Sequence, residues 1–216
     1  MFTLYEELLL VSIHEDKGIF IGSSMDGMKP GLAGAILAEL VLTGKIRTTN
    51  NRRLQLIDAS QTNDLILDET LIALREMDKE RKFGYWLNTL NQKPEKLRKQ
   101  IIASLIQKGI MTQEDGRLIW VIPSPLNAEI KASTKYWVIN RLRSNVLAQE
   151  DIQLRDIALL GLVSACGLLE LVFLRDERKL ARQYINELVV GQAMKEPVIE
   201  AIQEIVTAIA AEVEED

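Results

Sequence analysis

The stretch from Ile157 to Leu174 constrains this chain most, because it is the longest nearly uncharged run and long enough to suggest a bilayer crossing. A spanning helix needs about 17–25 predominantly apolar residues. This run, however, carries Glu170 inside it, and Arg155, Asp156, Arg175 and Asp176 fence it tightly. It is therefore expected to be a buried core helix over Leu154–Leu174 rather than a membrane span.

A chain of 216 residues can bury about 70% of the surface its unfolded form exposes, so it needs no metal or disulfide to hold it. Its apolar share of 47% and charged share of 26% are those of an ordinary globular protein. Cys166 is the single cysteine, which excludes an internal disulfide and fits a reducing compartment. The N-terminal MFTLYEELLL has no basic region and holds acids within its apolar run, unlike a signal peptide. A net charge of −5 makes the chain a poor non-specific binder of nucleic acid, which needs a positive footprint.

Helical periodicity dominates the rest. Thr3-Leu4-Tyr5-Glu6 has capping-box spacing ahead of LLLVSI, predicting a short helix turning into a strand. Gly22–Pro30 reads as a loop and Gly31–Thr43 as a helix stopped by Gly44. KIRTT and LQLID around Asn50-Asn51-Arg52-Arg53 predict a hairpin. Asp64–Lys79 is an amphipathic helix, followed by an aromatic segment at Phe83, Tyr85 and Trp86. Pro94–Lys108 starts on proline and ends at Gly109, and GIMTQEDGRLIWVI reads as a second hairpin turning at Glu114-Asp115-Gly116. The order helix, glycine stop, hairpin thus occurs twice, a weak internal repeat. Beyond Pro125, helices are predicted at Ala128–Leu147, Leu154–Leu174, Asp176–Val190 and Pro197–Ala211, before an acidic tail. The fold class is mainly α with two small β-hairpins. No linker breaks the chain, so residues 1–216 are expected to form one domain.

Catalytic chemistry finds little support. The only histidine, His14, sits at the entry to a Gly18 turn, where a triad or acid–base pair would have to use it. One His and one Cys exclude the usual zinc sites, and no phosphate-loop, nucleophile-elbow or dinucleotide motif occurs. The expectation is a protein that is not an enzyme, takes no cofactor and works by binding. Two segments suit anions. Lys29-Pro30-Gly31-Leu32-Ala33-Gly34 sets a lysine before a helix start with unpaired amides, although Gly31 and Gly34 could equally serve close packing. Lys93-Pro94-Glu95-Lys96-Leu97-Arg98-Lys99 crowds cations at another helix start, where they oppose the helix dipole. The charges of this second arrangement could also be a plain solvated face. The apolar hairpin around Trp120 could be core, pair with another subunit or dip into a bilayer interface.

Five segments, in order, resemble the Golgi phosphoprotein 3 family: TLYEELLLVSIHEDKG, PGLAGAILAELVLTGKI, LILDETL, LRKQIIASLIQKGIMT and the helix from Arg155 to Phe173. The likeness runs from Thr3 to about Ala211. It implies a central helix bundle wrapped by amphipathic helices and hairpins, no enzymatic activity, and peripheral binding to phosphatidylinositol 4-phosphate. In the family a tryptophan and three arginines cradle the headgroup. Arg98 falls on one of those arginines. Glu95 occupies the arginine position one turn earlier, Ala33 occupies the third, and the tryptophan falls near Ser24. Each missing Arg–phosphate contact is worth about 1.5–3 kcal/mol. Lys29 and Lys99, with Lys96, are the nearby cations that could substitute, so Arg98, Lys29 and Lys99 form the expected headgroup set. The resemblance also implies homo-oligomerisation through the second hairpin, here Glu114, Gly116, Leu118, Trp120 and Ile122.

The leading expectation is thus a cytoplasmic, peripheral membrane protein binding an anionic phospholipid headgroup, with a Golgi role only in a eukaryotic member. An oligomeric interaction scaffold without lipid binding is the alternative. A winged-helix reading, with Arg47, Arg52 and Arg53 on a wing, lacks a basic recognition helix, since Gly31–Thr43 carries no basic residue; no nucleic-acid partner is expected.

Overall fold

The computed structural model describes residues 2–13, 24–114, 117–120, 128–149, 152–191 and 196–215; the side chains of 24–26, 113–120, 128–133 and 214–215 lie outside the description. The elements are α1 (Leu4–Ser12), α2 (Ser24–Leu42), β1 (Ile46–Thr48), β2 (Arg53–Leu56), α3 (Leu65–Arg75), β3 (Arg81–Lys82), α4 (Phe83–Leu90), α5 (Pro94–Gln107), β4 (Met111–Glu114), β5 (Arg117–Trp120), α6 (Ala128–Ala148), α7 (Leu154–Ala165), α8 (Leu169–Val172), α9 (Arg178–Asn186) and α10 (Pro197–Glu215), with a π-helical turn at Glu187–Gly191 between the last two. The chain is mainly α with small antiparallel sheets, as the periodicity predicts.

Helix α1 begins where its capping box says it should: Glu6 Oε2 accepts the Thr3 N–H at 2.8 Å, satisfying a donor that a helix start leaves orphaned. Every residue of α1 is buried, glutamates included. It lies against α2, α5, α6 and α7, while α2 also packs on α7, α4 and α10. Where the turn into a strand was expected, Ile13 is a bridging residue, and the rest of that segment lies outside the described residues.

The long apolar run is not one helix. α7 stops at Ala165, Gly167 takes φ +71°, and the Leu168 N–H donates to the Val163 carbonyl at 2.9 Å. A left-handed residue with this bond closes the helix end, and the short α8 begins separately at Leu169. The expected helix over Leu154–Leu174 is therefore split, and among the described residues no helix is long and apolar enough to cross a membrane. Likewise the predicted Asp176–Val190 helix resolves into α9 and the π-helical turn.

The repeat noted in the sequence is real at the level of backbone bonds. Gly44 and Gly109 adopt φ of +71° and +69°. Lys45 N–H reaches the Leu40 carbonyl and Ile110 N–H the Leu105 carbonyl, both at 2.9 Å. Both helices thus close on a left-handed glycine before entering a hairpin. The copies then diverge. β1 and β2 pair with Ile46 opposite Leu56, and β3 adds a third strand through Arg53↔Lys82 and Leu54↔Arg81. β4 and β5 remain a two-stranded ribbon, Met111 opposite Trp120 and Glu114 opposite Arg117. The third strand was not anticipated, because Arg81-Lys82 is too short to show periodicity, and the aromatic segment after it is helix α4.

The largest departure is the start of α2. The helix begins at Ser24, through the predicted Gly22–Pro30 loop, and contains Pro30. Packing explains it. A Cβ on Gly27 would lie 2.6 Å from the Cys166 carbonyl oxygen, and one on Gly31 would lie 2.3 Å from Cys166 Sγ. The glycines that signal a loop locally let α2 approach the end of α7 at a distance no other residue permits. Gly34 does the same toward Ile205 and Ile209 of α10.

Cys166 is consequently enclosed, 3% exposed, and burial pushes its thiol up to about 12. The thiolate is the reactive species, so the native protein should resist maleimide for hours at neutral pH, while the denatured chain labels within minutes. Rapid native labelling, read by intact mass, would contradict this packing.

Candidate anion-binding site between α2 and α5

Lys29 and Arg98, far apart in sequence, are brought together. They line one small hollow with Leu9, Met28, Leu32, Pro94, Glu95 and Leu97. α5 delivers its side by starting on Pro94, whose missing N–H costs nothing at a helix start, and by burying Leu97, Ile101 and Leu105. That phase turns Arg98 toward α2. The hollow is about 30 Å³, where a water needs roughly 10–15 Å³. It admits water, and a larger anion would sit at its mouth.

Arg98 is not idle. Its guanidinium bonds Glu95 one turn earlier, where the carboxylate is 64% exposed. A pair this wet is worth about 0–1 kcal/mol. Lys99 points away from the hollow: it is exposed and does not line it. Lys96 is engaged by Glu69 at 3.1 Å on the neighbouring cleft of about 270 Å³, beside Lys93 and Gln100.

The expectation that unpaired amides lie just after Lys29 is corrected. Because α2 starts at Ser24, Lys29 and the Gly31–Gly34 stretch lie inside the helix, and amides there serve the helix itself. Gly31 and Gly34 are packing residues. Ala33 is wholly buried, so that family arginine position faces the core. The Ser24 side chain, His14, Gly116 and Ile122 lie outside the described residues, as do the side chains of Glu114, Leu118 and Trp120; the backbone of the β4–β5 ribbon is described, and its register is that of a hairpin.

Sequence reasoning missed a second concentration of charge. Glu7 is buried and accepts both Arg141 terminal nitrogens, at 3.1 Å each. Arg141 Nε lies 3.0 Å from Asp156 Oδ1, an ion pair without the alignment of a hydrogen bond. Arg155 bonds Glu39 Oε1 at 3.0 Å and the Phe2 carbonyl, and Glu39 Oε2 takes the Leu4 N–H at 2.6 Å. Glu6 accepts Lys108 and Ser104 at 2.6 Å. Burial raises the Glu7 carboxyl above its ordinary range, with Arg141 and Arg155 opposing. The signal was present: acids inside LYEELLL had to find cations somewhere. These groups tie α1 to α2, α5, α6 and α7.

The sequence model of the Golgi phosphoprotein 3 (GPP34) family matches residues 4–206, from the first residue of α1 well into α10. The chain belongs to the Golgi phosphoprotein 3 family. Among its relatives, Vacuolar protein sorting-associated protein 74 of Eremothecium gossypii is 24% identical over 173 residues, covering 71% of this chain and 51% of that protein. The protein of the same name from Schizosaccharomyces pombe is 26% identical over 174 residues, covering 67% and 49%. The chain spans about half the length of these relatives. In this family member, then, the cation singled out from the resemblance, Arg98, shares a hollow with Lys29, and Lys99, offered as a nearby substitute, does not line it.

Proposed function

We propose that this Golgi phosphoprotein 3 family member is a non-enzymatic peripheral membrane protein that receives an anionic phospholipid headgroup at the mouth of the α2–α5 hollow. The observation that carries the reading is the convergence of Lys29 and Arg98 on one hollow, at the start of a helix whose first turns also expose Lys93 and Lys99. With Glu95 opposite and Ala33 turned into the core, the hollow lacks the arginine array that would select phosphatidylinositol 4-phosphate. Recognition is therefore by charge, with modest headgroup preference.

Flotation with phosphatidylcholine vesicles carrying either phosphatidylglycerol or phosphatidylinositol 4-phosphate, at low and at raised salt, tests this. Binding should track total anionic charge and weaken as salt rises. Arg98→Glu changes the local charge by two units. At about 1 kcal/mol per unit near such a surface, it should cost about thirtyfold in partitioning. Glu95→Arg should strengthen binding and restore preference for the phosphoinositide. A protein that stays with the aqueous phase at low salt for every anionic composition would end this reading.

A further inference from the structure

Helix α1 serves as a ruler for its two outer neighbours. Late α5 meets its beginning, with Ser104 and Lys108 on Glu6, and early α5 meets its later part, with Pro94 and Arg98 beside Leu9. On the adjacent side, Arg141 reaches Glu7, and Lys135 Nζ donates to the Ile13 carbonyl at 2.6 Å. Both α5 and α6 therefore run antiparallel to α1. The first turns of α5 and the Lys135–Trp137 stretch of α6 gather at the same end of α1, that of Ser12.

Two large aromatic side chains stand outward there. Trp137 is 53% exposed and Tyr136 49%, whereas Trp86 is 2% exposed. The Trp137 ring is also held in place: the Arg141 guanidinium lies 4.4 Å from its centroid, and Arg141 is clamped from below by Glu7 and Asp156. A ring fixed this way loses little rotamer freedom on meeting a surface. Indole and phenol rings favour the boundary between water and hydrocarbon, where an apolar body and a polar tip are both satisfied. The same end exposes Lys29, Lys93 and Lys99, whose charge complements an anionic bilayer and orients the aromatics toward it.

We propose that Trp137, with Tyr136 beside it, is an interfacial anchor that enters the headgroup layer of an anionic bilayer alongside the Lys29–Arg98 hollow. The inference rests on the peripheral-membrane reading above. It adds a contribution that salt does not screen.

The test uses the whole chain with vesicles of phosphatidylcholine and phosphatidylglycerol, some brominated near the glycerol. Emission from Trp137, taken as the difference between wild type and Trp137→Phe, should shift to the blue on binding and be quenched by bromine. Burying a half-exposed ring corresponds to about a tenfold change, so Trp137→Ala should bind about tenfold more weakly, and the ratio should persist at raised salt. If wild type binds while its Trp137 emission neither shifts nor quenches, the anchor is refuted and the headgroup reading stands. If wild type does not bind at all, both fall.

Discussion

Replacing Arg141 by leucine is expected to lower the melting temperature by about 6–20 °C. Removing one partner of a buried ion pair costs about 3–5 kcal/mol, because the remaining charge is left without compensation, and each kcal/mol moves the midpoint by about 2–4 °C in a chain of this size. Glu7, 2% exposed, is the charge that would be stranded. Its carboxyl is already raised by burial against the pull of Arg141 and Arg155. A folded-state value above the unfolded one means the native state binds the proton more readily, so lowering pH from that raised value toward the ordinary 4.5 favours the fold. Without Arg141, which lowers the Glu7 value, the variant takes up this proton at still higher pH, so the deficit of Arg141→Leu should shrink as pH falls toward the wild-type Glu7 value. Calorimetry showing a loss under 1 kcal/mol, or a deficit that widens on acidification, would place the energy elsewhere.

The second large effect is expected at Gly31. Alanine is ordinarily the better helix residue by about 1 kcal/mol, yet Gly31→Ala should destabilise by about 1–3 kcal/mol, as overpacking of a tight core does, because its methyl would meet Cys166 Sγ at 2.3 Å. Cys166→Ala alone should cost roughly 1 kcal/mol as a small buried deletion. The double variant should be more stable than Gly31→Ala, since the colliding atom is gone. That positive coupling is what a double-mutant cycle measures. Gly27→Ala supplies the contrast. Its methyl would strike the Cys166 carbonyl oxygen at 2.6 Å, backbone that Cys166→Ala leaves in place, so no rescue should occur. Additive losses at Gly31 and Cys166 in chemical denaturation would remove the packing explanation for the glycines of α2.

Those glycines also mark the limit of what could be read in advance. Helices with a clean apolar stripe and a recognisable start, such as α3 behind the Asp64 cap, whose Oδ1 accepts the Ile66 and Leu67 N–H groups, were legible within a few residues. So were both hairpins, because glycine stops and alternating residues act locally. The first turns of α2 were not, since Gly27, Pro30 and Gly31 are breakers by local propensity, and only contact with Cys166 outweighs that. The split at Gly167 was hidden for the converse reason: one glycine in an unbroken apolar run gives no periodic warning. At the site, Arg98 was singled out by the family resemblance and Lys29 by its place near a helix start, and the two line one hollow. The amides placed behind Lys29 depended on a helix boundary and moved with it. The acids of α1 signalled that cations were needed, but which ones could not be read, because Lys108, Arg141 and Arg155 come from about a hundred or more residues along the chain.

Helix α1 is made before the other described helices, yet its glutamates wait for Lys108, Arg141 and Arg155, synthesised much later. Until then its oily faces have only α2 to lean on, and α2 in turn awaits α10. Such long-range closure slows folding and prolongs the aggregation-prone interval. Fragments ending before α7 should therefore depend on chaperones, and loss of either α1 or α10 strips a packed face from α2.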